Sequence, residues 1–116
     1  MEKGKATNNN FSYLGKLRFV EDDFQLFEIE MIKYNEYILK FNSPISLKCF
    51  ADGQGFYCDY DELDIHCYGK SSQELLENFS EDIVIAWKIY IECDQKVLSA
   101  GALAMREHLL KLLKRL

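Results

Sequence analysis

The stretch Ile45-Ser46-Leu47-Lys48-Cys49-Phe50-Ala51-Asp52-Gly53-Gln54-Gly55-Phe56-Tyr57-Cys58-Asp59-Tyr60 decides the fold. Ile45, Leu47, Cys49 and Ala51 alternate with Ser46, Lys48 and Phe50, the period of a strand with one buried face. Phe56, Cys58 and Tyr60 alternate in the same way with Tyr57 and Asp59. Between them, Gly53 and Gly55 supply the backbone freedom that a tight hairpin needs. The pattern predicts two antiparallel strands, with residue 51 opposite 56 and Cys49 therefore facing Cys58. Pro44 stands where such a strand can begin.

Working outward, Leu63, Ile65 and Cys67 continue the alternation until Gly69 breaks it, which predicts a third strand. Ser71-Ser72-Gln73-Glu74 then reads as a capping box, with the Ser71 hydroxyl accepting from the Glu74 amide and the Glu74 side chain reaching back. A long helix follows. Leu75, Leu76, Phe79, Ile83, Ala86, Trp87, Tyr90 and Ile91 recur at helical spacing, while Glu77, Glu81, Asp82, Lys88 and Glu92 fill the other side. That apolar stripe is expected to cover the sheet.

The runs Phe50 to Tyr60, Leu63-Asp64-Ile65 and Tyr68 to Asn78 together resemble the HicB-type antitoxin module. The resemblance covers about residues 45 to 93 and implies a truncated ribonuclease H-like β-β-β-α core that lacks nuclease carboxylates. It further implies a non-catalytic interaction module that masks a small basic, RNA-cleaving toxin, with DNA binding left to a separate C-terminal part. Where the family usually has a Pro-x-Leu-Pro-Gly loop, this chain has Asp61-Glu62-Leu63-Asp64-Ile65, and some forty residues precede the module.

On the N-terminal side, Met1 to Asn10 is polar and is expected to be a disordered tail. Residues 11 to 116 are expected to form a single domain. Within it, residues 11 to 44 read as extra strands, with Tyr13, Leu14, Leu17, Phe19 and Val20 as a short apolar element. Phe24, Leu26, Phe27, Ile29 and Met31 form a hairpin with Tyr37, Ile38, Leu39 and Phe41 around Asn35-Glu36. A helix over Glu28 to Lys40 is the alternative. Apolar residues on both parities suit a strand covered on two faces, or one that pairs across a homodimer.

On the C-terminal side, Asp94-Gln95-Lys96 reads as a break, and residues 95 to 116 as a second helix. Leu98, Ala102, Met105, Leu109, Leu112 and Leu116 form its seam, and Leu103, Leu110 and Leu113 widen the stripe, which favours packing within the chain. The fold class is thus α+β: an antiparallel meander of five to six strands with two C-terminal helices on one face.

Charge is unevenly spread. Asp52 to Asp94 carries eleven acidic residues against Lys70 and Lys88, residues 1 to 51 balance seven against seven, and the remainder has five basic residues against Glu107. This acidic segment suits a basic protein partner and makes nucleic acid an unexpected one. The basic residues Arg106, Lys111, Lys114 and Arg115 read as a solvated helix face. No segment has the uninterrupted apolar length of a bilayer span, and no secretory signal is evident, so a cytoplasmic protein is expected.

Residues with catalytic potential are few. Cys49, Cys58, Cys67 and Cys93 include no Cys-x-x-Cys pair and read as small buried hydrophobes. His66 lies opposite Ile65 and Cys67 beside the carboxylates Asp59, Asp61, Glu62 and Asp64, which lack the spacing of an EF-hand loop. His108 reads as a solvated residue. We therefore expect no cofactor, no metal and no catalytic residue, with Tyr57, Asp59, Asp61, Glu62, Asp64, His66 and Tyr68 as the partner-binding set. Two alternatives remain: a self-associating structural or regulatory domain, and a metal-dependent nuclease or hydrolase built on the acidic loop.

Overall fold

The structure, a computed structural model, describes residues 11–21 and 24–116. The expected disordered tail at Met1 to Asn10 lies outside the described residues. The elements run β1 (Phe11–Glu21), β2 (Phe24–Tyr34), β3 (Tyr37–Ala51), β4 (Phe56–Tyr60), β5 (Ile65–Gly69), α1 (Ser72–Tyr90), α2 (Ala100–Leu112) and β6 (Leu113–Arg115). The fold is α+β, as the sequence predicts. Strands β1 to β5 form an antiparallel meander in chain order, and β6 pairs with β3.

Each turn has a local cause. Asn35 adopts φ 57° between Tyr34 and Tyr37, which pair directly, so the Asn35-Glu36 turn is the tight hairpin expected and the helical alternative over Glu28 to Lys40 is overturned. At the next turn Ala51 pairs with Phe56. Asp52 Oδ1 accepts from the amides of Gln54 (2.9 Å) and Gly55 (3.0 Å), and Gly53 takes φ +88°. An Asx turn closed by glycine explains the register that the alternation predicts.

The third strand and the C-terminal helix have other bounds than expected. The third strand begins at Ile65 rather than Leu63, because Asp61–Leu63 forms a 3-10 turn that buries Leu63. The C-terminal helix does not run from 95 to 116. It spans Ala100–Leu112, capped by Ser99 Oγ on the Ala102 amide at 3.2 Å, and Leu113–Arg115 turns into an antiparallel strand beside Leu39–Phe41. Leu113 thus reaches the core from a strand, where its helical spacing with Leu109 had suggested a longer seam.

Strand β3 is a single strand of 15 residues where two runs had been read. Its first part pairs with β2 and β6, its last part with β2 and β4. Between them, Asn42-Ser43-Pro44 bulges out, since Ile45 pairs with Ile29 and Lys40 with Met31. Proline is tolerated there because the bulge asks for no ladder donor. Asn42 Nδ2 donates to Lys111 O at 2.7 Å and ties the bulge to α2.

Helix α1 starts as the capping box predicts: Ser71 Oγ accepts from the Glu74 amide at 3.1 Å. The Glu74 carboxylate reaches one residue further than expected and accepts from the Lys70 amide at 2.7 Å. Leu75, Leu76, Phe79, Ile83, Val84 and Trp87 bury their side chains against Phe27, Ile29, Leu47, Cys49, Cys58 and Cys67 of the sheet. Burying aliphatic and aromatic side chains of this size stabilises by about 1.5–3 kcal/mol each. The C-terminal helix packs within the chain through Leu109, with Met105 and Leu112 beside the core. Both helices therefore lie on one face of the sheet, and no described element covers the other.

Candidate functional site

The seven residues singled out from sequence all fall on the β4–β5 hairpin. The register sets Tyr57 opposite Tyr68 and Asp59 opposite His66, while Cys58 opposite Cys67 faces inward under α1. Alternation then makes Tyr57, Asp59, His66 and Tyr68 a two-by-two block on the outer face. The connecting loop is anchored by buried Leu63, with Asp64 at φ 55° and its amide bonded to Asp61 O at 3.1 Å. An aspartate tolerates this left-handed backbone well.

That conformation brings Asp64 to the imidazole. His66 Nδ1 lies 2.8 Å from Asp59 Oδ1, and Nε2 lies 3.1 Å from Asp64 Oδ1. Hydrogen bonds to Asp59 and then to Asp64 raise the His66 pKa from its ordinary value of 6.5, although the ring is exposed. With both ring nitrogens facing carboxylates, the imidazolium form can donate to both at once. In that protonated form, Asp59–His66–Asp64 makes a charge-assisted bridge between the loop and the strands.

The other two carboxylates diverge from it. Glu62 accepts from the Tyr60 hydroxyl at 3.3 Å and lies 4.0 Å from His108 Nε2, which links the loop to α2. The Asp61 carboxylate has no hydrogen-bond or ion-pair partner among the described residues. No three His, Cys, Asp or Glu side chains among the described residues are placed to hold a metal ion.

On the inner face, Cys49 on β3, Cys58 on β4 and Cys67 on β5 are all buried, and Cys93 is half-buried. The β3–β4 ladder pairs Ala51 with Phe56 and Phe50 with Tyr57 and ends there, one residue short of the Cys49–Cys58 pair that the alternation predicts. Burial, and then proximity to Cys58, pushes the Cys49 thiol up to about 12. Cys67 is held protonated by its hydrogen bond to Cys58, by burial and by Asp82, whose Oδ2 lies 3.2 Å from its sulfur.

A second feature was not read from sequence. Beside β5 runs an open groove of about 380 Å³, lined by Ile85, Ala86 and Ile89 of α1, Met105 of α2, and Asp64 and Asp82. Ile85 and Ile89 are 44% and 50% exposed, one helical turn apart and off the core stripe. That spacing in an otherwise polar face was the available signal. Strand β5 is also an end strand of the sheet, so its outer backbone edge pairs with no other strand among the described residues; Tyr68 O accepts there from Asn78 Nδ2 at 2.7 Å.

No family model, curated protein or solved structure matches this chain. No helix among the described residues is long and apolar enough to cross a membrane.

Proposed function

We propose that the chain is a non-catalytic protein-interaction module that grips a small basic protein along the β4–β5 hairpin, in the manner the resemblance to HicB-type antitoxins implies. The observation that carries this reading is the groove beside β5. It combines exposed Ile85 and Ile89 with the carboxylates of Asp64 and Asp82 in one lining, next to a strand edge that no other described strand pairs. An extended or helical basic segment would find apolar anchors and charge complementarity in one place. The Asp59–His66–Asp64 bridge holds the loop in a fixed shape, which lowers the ordering cost of binding.

The test is co-expression with a small basic protein encoded beside this chain, followed by purification at moderate salt. Co-elution that is lost in Ile89→Arg and in Asp61→Lys/Asp64→Lys supports the reading. A partner retained equally by both variants, or no co-elution at all, counts against it.

A further inference from the structure

The sheet face turned away from α1 and α2 carries two rows of side chains. The first is aromatic and crosses all five meander strands. Phe19 on β1, Phe24 on β2, Phe50 on β3 and Tyr57 on β4 follow at ring-centroid distances of 5.5, 5.9 and 5.4 Å, and Tyr68 on β5 stands next through its register with Tyr57. Phe19, Tyr57 and Tyr68 are 46%, 38% and 46% exposed. Glu21 and Asp52 are exposed at this end of the sheet.

The second row lies at the other end and is cationic. It consists of Lys33 on β2, Lys40 on β3 and Lys114 on β6. Lys40 and Lys114 are direct register partners, and neither side chain has a hydrogen-bond or ion-pair partner among the described residues. Lys33 Nζ donates to Asn35 O at 3.2 Å. Like charges directly opposite across a strand pair oppose that pairing. An opposing surface that supplies rings or carboxylates relieves the repulsion.

The two rows use the same tracks. Lys33 and Phe24 share β2, and Lys40 and Phe50 share β3. Lys114 is on β6, which flanks β3 on the side where β4 with Tyr57 flanks it further along. A half-turn about an axis in the face, perpendicular to the strands, lays each strand over its own copy and exchanges the two ends. Lys33, Lys40 and Lys114 of one copy then meet Phe24, Phe50 and Tyr57 of the other, and the reverse holds by symmetry.

We propose that this face is the contact between two copies of the chain, with lysine–aromatic pairs at both ends and Glu21 and Asp52 supplying the facing anions. Lys48 already sits 5.8 Å from the Phe24 ring centroid within one copy, so the face uses such pairs locally. The rows are nine residues apart on β2, about 30 Å at the strand rise, and span four tracks of about 5 Å each. That gives roughly 600 Å² per copy, near the lower limit for a specific interface, so a reversible dimer is expected. A single-stranded nucleic acid would instead meet Glu21 and Asp52 beside the rings.

Light scattering coupled to size exclusion, on the full chain over a concentration series, tests this. The expected result is a dimer that dissociates on dilution and with added salt. Lys40→Glu/Lys114→Glu is expected to weaken it at least tenfold, and Glu21→Lys added to that variant to recover part of the loss. Phe50→Ser should weaken it too, with circular dichroism checking that each variant stays folded. A monomer at every concentration overturns the proposal and assigns the face to another occupant. A dimer insensitive to both the charge and the ring variants also overturns it and moves the contact elsewhere, the β1 edge first.

Discussion

Cys58 and Cys67 stand directly opposite each other on β4 and β5, beneath α1, with the Cys67 sulfur 3.2 Å from Asp82 Oδ2. Both are buried, as is Cys49, whereas Cys93 near the end of α1 is only half-buried. A thiol reagent should therefore titrate one cysteine quickly in the native protein and the other three only at the rate of unfolding. Cys93→Ser should remove the fast phase; two or more fast thiols would contradict the packing described.

Across the same strand pair, on the outer face, His66 meets Asp59 and Asp64. Its folded pKa is raised above 6.5 by those hydrogen bonds. The sign follows from linkage: the stabilisation is fully present below about pH 6.5, where the ring is charged in both states, and is lost as pH rises through the folded value. NMR titration of His66 should give a midpoint above 6.5 that falls toward 6.5 in Asp59→Asn/Asp64→Asn. A midpoint unmoved by that double change would show that the carboxylates do not act on the ring.

Arg106 closes the end of α1 from α2: one guanidinium nitrogen donates to Tyr90 O at 2.9 Å and to Ile91 O at 2.8 Å. Helix C-termini leave carbonyls that need such donors. Arg106→Ala should cost about 1 kcal/mol in denaturant unfolding, the net worth of a hydrogen bond to acceptors that are only part-buried. A change within experimental error would mean that water replaces the guanidinium freely.

Two glycines should respond to alanine in opposite directions. A Cβ on Gly69 would overlap the backbone nitrogen of Leu75, which no rotamer change relieves, whereas one on Gly101 in α2 meets open space. Gly69→Ala should destabilise on the order of 3 kcal/mol, as overpacking does. Gly101→Ala should stabilise by about 1 kcal/mol, the helix-propensity difference. Thermal melts of the two variants check both signs.

What the sequence revealed was local. The Asn35-Glu36 and Asp52 to Gly55 turns, the Ser71 cap and the α1 stripe each draw on residues within a few positions of one another, so alternation, turn chemistry and spacing expose them. The Asp59 to Tyr68 block was legible for the same reason, because period two puts alternate residues on one face. Strand β6 was not, since Leu113 continues a helical spacing and only the open edge at Leu39–Phe41 makes it a strand. The groove was missed because it needs β5, α1 and α2 placed together. The bulge at Asn42 to Pro44 was hidden behind a proline that looked like a beginning.

Strand β3 pairs with its neighbours at very different chain separations. Tyr37 meets Tyr34 across two residues, whereas Leu39 meets Arg115 only after the meander and both helices have been laid down between them. Loop closure makes the second pairing the slower to form. Folding should therefore pass through a stage in which the meander is already paired and the Leu39–Phe41 edge is still open, able to take a strand from a neighbouring molecule. The moment of greatest aggregation risk for this chain is thus set by how quickly its last strand arrives.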